Sequence, residues 1–305
     1  MAPKENVPTV SIGLPVFNGG KYIRSALDSL LSQTYDDFEL IISDNASTDD
    51  TRDICLQYVG LDARVRYHRF DTNQGAHPNY NYIFKSARGR YFNWAAHDDE
   101  WHPDFLSLCV RAFEEGTSSI VLVYPKEHFI DEEGKIIEEI LSRYSLGTRQ
   151  HRAHRRLAHV LKVVGTAGAL FGLMKTEALR KTRLLGPFIG SDWVLIAEMA
   201  MLGEIVELPQ FLFRRRIHPE ISSLACKNND EWLAWHSGKK TQYKSILPPQ
   251  MLLPREFIRG AHHLPIPRSE KWLCYLLVHP LWYFRMLRNF GGRMKNRLKR
   301  RLGCR

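Results

Sequence analysis

The strongest constraint on the fold is the rhythm of the first half of the chain, where short apolar runs alternate with amphipathic stretches. Val10-Ser-Ile-Gly-Leu14, Phe38 to Ile42, Val65 to His68, Tyr91 to Trp94 and Ile120 to Tyr124 are each of strand length and mainly apolar. Between them, Lys21 to Ser32 places Ile23, Ala26, Leu27, Leu30 and Leu31 on one helical face. Ser47-Thr-Asp-Asp50 can cap a helix reaching Tyr58, and Asn79 to Ala87 reads as another. Pro103, a residue tolerated in a first turn, opens a helix to Glu114. Strand and helix in strict succession predict βαβ units, and hence an α/β fold with a mostly parallel open sheet flanked by helices.

The pattern is poorer from Glu127 to Gly147, where Glu133-Gly134 predicts a turn. His151 to Val163 reads as a basic helix and Asp192 to Leu202 as another, with strands expected at Ala169 to Leu173, Glu204 to Leu208 and Phe211 to Arg215. After Ala225 the rhythm stops. Pro248, Pro249, Pro254, Pro265 and Pro267 predict an irregular stretch, and aromatic-rich, basic helical segments follow. The expected division is an α/β domain over residues 1–225 and a helical extension over 226–305.

An apolar content of 44% and a charged content of 25% exclude a disordered or fibrous chain. Five cysteines, an odd number with no CxxC pair, argue against a disulfide framework and a zinc site and suit a reducing compartment. Met1 to Pro8 carries no apolar signal-like region, and no stretch approaches the roughly 18 apolar residues of a membrane span. A cytoplasmic protein is expected, with peripheral contact to the inner face of the membrane as an option. The formal charge of +10 is concentrated at the C-terminus, where Arg285, Arg288, Arg293, Lys295, Arg297, Lys299, Arg300, Arg301 and Arg305 follow one another without an acid. Beside them, Trp272 to Leu287 is rich in aromatic and aliphatic residues. Two readings stand: an interfacial helix on an anionic membrane surface, or a helix packed on the first domain with a solvated basic end. No nucleic-acid-binding motif accompanies the charge.

Ligands of open α/β sheets bind beyond the carboxyl ends of the strands. There the sequence places Pro15-Val-Phe-Asn18, Ser43-Asp-Asn-Ala-Ser47 and Ala96-His-Asp-Asp-Glu100. Adjacent carboxylates repel, so Asp98-Asp99 at a strand end reads as a site for a divalent cation or a shared proton, or else as a solvated turn ahead of the next helix.

Four segments, taken in order, resemble the family 2 glycosyltransferases of the GT-A fold: Leu14-Pro-Val-Phe-Asn-Gly19, Leu40-Ile-Ile-Ser-Asp-Asn-Ala-Ser-Thr-Asp49, Asn73-Gln-Gly75 and His97-Asp-Asp99. The resemblance covers Val7 to Pro219. It implies an inverting transfer of a hexosyl or deoxyhexosyl group from a nucleotide-sugar donor to a glycan or lipid-linked acceptor, with Mg²⁺ or Mn²⁺ as cofactor. It also implies that Pro15, Phe17 and Asn18 border the nucleotide, and that Asp44, with Asn45 beside it, meets the base. Asp98 would contact the ribose or the metal, and Asp99 would be the direct metal ligand. His97 stands where the family's metal motif usually has its first acid, and Asn45 where an Asp-Asp-Gly-Ser version has its second.

Asp192, at the start of its helix, would be the general base, a group required because the acceptor hydroxyl must lose a proton. By position alone it reads instead as an N-cap carboxylate favoured by the helix dipole, and it is the resemblance that turns the reading to catalysis. Arg216-Ile-His218 resembles the family's Arg-x-His segment, with Arg216 on the leaving diphosphate and His218 on the phosphate or the metal; the plain alternative is a basic surface strand. A nucleotidyltransferase, or a retired docking protein, would share the α/β rim. A dehydrogenase is disfavoured because no GxGxxG follows the first strand.

Overall fold

The expected strands form the spine of a nine-stranded sheet in the computed structural model, which describes residues 7–139, 145–164, 168–221, 226, 228–238 and 249–301. The strands are β1 (Val10–Val16), β2 (Phe38–Asp44), β3 (Val65–Arg69), β4 (Tyr91–Trp94), β5 (Glu100–Trp101), β6 (Ile120–Ile130), β7 (Ile136–Glu139), β8 (Leu173–Lys175) and β9 (Glu204–Arg216). The helices are α1 (Ile23–Leu31), α2 (Thr51–Leu61), α3 (Ala76–Ser86), α4 (Phe105–Glu115), α5 (Ala153–Val163), α6 (Thr176–Leu179), α7 (Ser191–Leu202), α8 (Asn229–Ser237), α9 (Pro249–His263) and α10 (Arg268–Arg301).

The sheet runs β3-β2-β1-β4-β8-β6-β9-β5, with β7 paired to β6. The first four strands are mutually parallel, as the βαβ rhythm requires. β8 is antiparallel to both of its neighbours, β6 and β9 are parallel, and β5 pairs antiparallel to β9. That last pairing positions the site. The chain leaving β4 passes through Asp98-Asp99 and is at once hydrogen-bonded, as β5, to the far end of β9: Glu100 faces Arg214 and Trp101 faces Phe213.

Apolar side chains on both faces of the sheet build two cores. One lies between the sheet and α1, α2 and α4; the other gathers α3, α5 and α7 with α9 and α10. Gly13 is needed where α3 presses on β1, because a Cβ there would lie 2.1 Å from the Ile83 side chain and 2.9 Å from Phe92.

Several expectations are corrected. Ala169 to Leu173 is not a strand: Gly168–Phe171 forms a 3-10 turn and the strand begins at Leu173. The two strands expected around Pro209 are one, β9. Register shifts opposite Tyr124, Lys126 and Glu127 absorb the proline as a bulge, where its missing N–H interrupts no ladder. The proline-rich stretch is not irregular throughout, since α9 spans Pro249–His263 with Pro254 inside it. Leu253, Phe257, Ala261 and Leu264 recur at helical spacing and are buried, which outweighs one lost backbone bond, about 3 kcal/mol. The expected boundary at Ala225 lies outside the described residues.

The C-terminal extension is part of the second core. Cys274, Val278 and Trp282 of α10 are buried, and Glu270 at its start accepts from the His154 N–H (3.0 Å) and from Arg152 (2.5 Å) at the N-terminus of α5. Arg183 ties α9 to α7 through Glu256 (3.0 Å) and Glu198 (2.6 Å).

Candidate active site at the carboxyl rim of the sheet

The rim is assembled from loops that bind one another. After β1 the chain turns through Asn18 and after β2 through Ala46, both at positive φ (50° and 65°), conformations that bulkier side chains resist. The two turns are stitched together: the Asn18 N–H donates to Ser47 Oγ (2.9 Å), the Thr48 N–H to Asn18 Oδ1 (2.8 Å) and the Asn45 N–H to the Val16 carbonyl (2.8 Å). Pro15 is buried within β1 beyond the last residue that pairs with β4, so its missing N–H costs no ladder bond. Phe17 and Asn18 are exposed on the rim.

Asp44 ends β2 with no exposed surface. Its Oδ1 accepts from the Ser47 N–H (2.7 Å), and its Oδ2 accepts from the Tyr67 hydroxyl (2.7 Å) and lies 3.4 Å from Arg69. The carboxylate is therefore engaged within the loops. Asn45 is buried and reaches the next loop, donating to Asn73 Oδ1 (2.9 Å) and the Gly75 carbonyl (3.2 Å) while accepting from the Gln74 N–H (2.8 Å). Gly75, at φ 86°, lies against the backbone of Gly238 at φ 67°, so two glycines allow α8 to sit on this loop.

The acidic pair follows β4. Asp98 accepts from His218 Nε2 at 3.0 Å, and His218 in turn packs 4.7 Å from the Tyr22 ring. Burial alone would raise the Asp98 carboxyl, but the charges of His97 and His218 and the His218 hydrogen bond outweigh it and hold the group below its ordinary value. Asp99 behaves oppositely. Burial first and the Asp98 charge second push its carboxyl well above the carboxylate range, against the pull of Arg215 and the Arg216 N–H, which bonds Oδ1 at 2.8 Å. A buried carboxylate raised by an ionised neighbour is one that a cation would stabilise. The two carboxylates fit the sparse oxygen ligation of Mg²⁺ or Mn²⁺, whose shell is completed by water and phosphate oxygens, while the His218 imidazole is the weaker match to such hard ions. Among the described residues no group of three His, Cys, Asp or Glu side chains is already gathered at metal-holding spacing.

Asp192 is the second residue of α7, following Gly190 at φ 85°. Burial raises its carboxyl, opposed by the Trp193 N–H, its own N–H and the Arg215 charge. The charges of Asp98, Asp99 and Asp192 all act on the Tyr80 hydroxyl, which burial and then these carboxylates push upward, and Arg215 acts on both Asp99 and Asp192. Asp44 is engaged by Ser47, Tyr67 and Arg69.

Arg216 is buried and its guanidinium is committed. Nε donates to the Asp98 carbonyl (2.9 Å), Nη1 to the carbonyls of Asp131 (2.9 Å) and Glu132 (3.0 Å), and Nη2 to Glu100 (2.5 Å). It clamps the acidic loop to the turn between β6 and β7, a turn also held by Lys21 and Tyr22 through Glu132. Arg215 lies 3.5 Å from Glu127 and beside the rings of Phe171 and Phe213, and its charge acts on Asp99 and Asp192. Glu127, buried against Gly168, contributes a further charge to Asp99. Tyr80, Glu127 and Arg215 were not among the residues singled out from the sequence. Arg215 carried a usable signal: alternate residues of a strand face opposite ways, so Arg214-Arg-Arg216 must send its middle member to the other side of the sheet.

Comparisons with known proteins bear on the family and the fold. Residues 11–172, more than half of the chain, match the family model described as Glycosyl transferase family 2. The chain is 36% identical over 225 residues to the chondroitin synthase of Escherichia coli, covering 73% of this chain and 31% of that protein. It is 33% identical over 135 residues to an uncharacterized glycosyltransferase of Rickettsia felis, covering 44% of this chain and 22% of that protein. The chain spans about a fifth to two fifths of the length of the rickettsial relatives it matches. Among solved structures, S. aureus TarS 1-349 in complex with UDP-GlcNAc aligns with a TM-score of 0.62 at 16% identity, over 89% of this chain and 72% of that one. Mannosyltransferase PcManGT from Pyrobaculum calidifontis, in complex with GDP-Man and Mn²⁺, aligns with a TM-score of 0.52 at 13% identity, over 94% of this chain and 76% of that one. These structural likenesses establish the fold.

Proposed function

The chain belongs to glycosyl transferase family 2, and from that premise we propose that it transfers a sugar from a nucleoside-diphosphate donor to an acceptor hydroxyl with inversion at the anomeric carbon. What supports the reading is the family match together with Asp98 and Asp99 after β4 and Asp192 at the start of α7, whose charges all act on the buried Tyr80 hydroxyl. The acceptor oxygen attacks the anomeric carbon opposite the diphosphate. A carbon–oxygen bond forms as the bond to phosphate breaks, and the hydroxyl proton passes to the Asp192 carboxylate. Burial makes that carboxylate more basic than an ordinary aspartate, which suits the task. The nucleoside diphosphate departs with the electron pair, towards the positive charge of Arg215.

Asp99, Asp98 and His218 are the groups that would hold Mg²⁺ or Mn²⁺, which when bound neutralises developing diphosphate charge. The mannosyltransferase complex with GDP-Man and Mn²⁺ supports both the cofactor class and a nucleotide-sugar donor, as does the UDP-GlcNAc complex of TarS. Pro15, Phe17 and Asn18 would border the nucleotide. Asp44 and Asn45 would act on the base by fixing the loops that contain it, since both side chains are engaged there. Arg216 would serve the diphosphate indirectly, by holding the Asp98 loop in place. A glycan or lipid-linked saccharide is the proposed acceptor class, handled on the cytoplasmic side.

The test is a thermal-shift panel of nucleoside diphosphates and their sugars, with and without Mn²⁺, on the wild type and on Asp99→Ala and Asp192→Asn. Metal-dependent stabilisation in the wild type, lost in the Asp99 variant and kept in the Asp192 variant while turnover disappears, is the expected pattern. No stabilisation by any nucleotide in the presence of metal would refute the reading.

A further inference from the structure

The long helix α10 offers a surface that neither the second core nor the transfer chemistry uses. Its inner face is buried through Cys274, Val278 and Trp282. Its outer face is apolar and open: Trp272, Leu276, Phe284 and Leu287 are 65–72% exposed, with Tyr283 beside them at 41%. Positions 272, 276, 283 and 287 follow the i, i+4, i+11, i+15 spacing of one helical stripe, about 22 Å long. Large apolar side chains exposed singly need no explanation, but several along one stripe, here interrupted at His279-Pro280, mark an interaction surface.

The charge around the stripe identifies the partner. Arg155 and Lys162 are exposed on the neighbouring helix α5, and Arg288 of α10 donates to the Lys162 carbonyl at 2.9 Å. Past Glu270 the helix sequence contains no acid and goes on to Arg293, Lys295, Arg297, Lys299, Arg300 and Arg301. We propose that the outer face of α10 docks on an anionic lipid bilayer, the helix lying along the surface with its aromatic and leucine side chains in the headgroup–acyl boundary and its flanking cations on lipid phosphates. No helix of the described residues is long and apolar enough to cross a membrane, so the contact is interfacial. A second copy of the chain, at a formal charge of +10 each, would set like-charged flanks against one another. A nucleic acid would meet an apolar stripe where it requires cations. The inference does not depend on the proposed transfer reaction.

The full chain is tested by co-sedimentation with phosphatidylcholine vesicles and with vesicles that also contain phosphatidylglycerol. Binding to the mixed vesicles, weak binding to the neutral ones and release by salt are expected. The triple substitution Trp272→Ser, Leu276→Ser, Phe284→Ser removes only exposed side chains, so far-UV circular dichroism and melting stay unchanged while vesicle affinity falls at least about tenfold. Arg155→Glu with Lys162→Glu weakens binding to anionic vesicles by about tenfold or more, each cation being worth roughly fivefold near such a surface. The proposal is overturned if the triple variant sediments like the wild type, or if neutral and anionic vesicles bind alike. It is equally overturned if the wild type ignores vesicles while binding RNA, or while forming a dimer that the triple variant cannot form.

Discussion

Replacing Arg216 separates a structural clamp from a substrate-facing cation. Its guanidinium makes one bond to Asp98, two to the β6–β7 turn and an ion pair with Glu100, all from a buried position. Hydrogen bonds from a charged donor contribute about 1.5–3 kcal/mol each, and removing one partner of a buried ion pair costs about 3–5 kcal/mol. These terms overlap, and water can reach the half-buried carbonyls of Asp131 and Glu132, so Arg216→Ala should cost about 4 kcal/mol rather than their sum. Arg216→Lys keeps the charge and the Glu100 partner. A lysine ammonium cannot span the acidic loop and the turn together, so about 3 kcal/mol should still be lost. Urea denaturation followed by circular dichroism reads both values, provided the slope with denaturant is unchanged. Transfer activity should fall in both variants, because the Asp98 loop loses its tether. A lysine variant with wild-type stability and activity would mean that Arg216 acts as a point charge, and the clamp would be refuted.

If Asp192 is the base, the acid limb of the pH–rate profile lies above the range of an ordinary aspartate, because burial raises the folded group, and rate is lost as pH falls through it. Arg215→Ala removes a charge that lowers the same carboxyl, so the limb should move to still higher pH; kcat profiles that superimpose would sink the assignment. Burial alone would raise the Glu270 carboxyl, but His154 and Arg152 outweigh it and hold it at about 2. A depressed acid stabilises the fold above its unfolded pKa of about 4.3, and that contribution disappears as pH drops towards 2. Because Arg152 is half exposed, Glu270→Gln should cost only about 1–2 kcal/mol at pH 7. Its gap from the wild type should close in acid, and a gap in urea stability that stays constant from pH 7 to pH 3 would contradict this.

The first four strands and the loops after β1, β2 and β4 were legible in the sequence because each is decided locally, by a short apolar run and the polar residues that follow it. Asp98 and Asp99 stand at such a strand end, whereas Asp192 opens a helix and is named only through the resemblance to the family. Glu127 was not legible, because its meeting with Arg215 depends on the register between β6 and β9, set by bulges on either side of Lys126, one of them adjoining Glu127. Pro209 and Pro254 misled for a related reason. A proline reports a missing donor, but only the partner strand or the buried face of the helix decides whether the donor was needed.

The indole of Trp193, next to Asp192, lies 6.1 Å from that of Trp282 and 5.3 Å beneath the Arg285 guanidinium. Cutting the chain ahead of α10 to obtain a tail-less protein would therefore unroof the start of the very helix that carries the proposed base. A shortened protein with poor turnover would report a loosened scaffold as much as a lost foothold on lipid, and point changes on the far side of α10 are the cleaner way to tell the two apart.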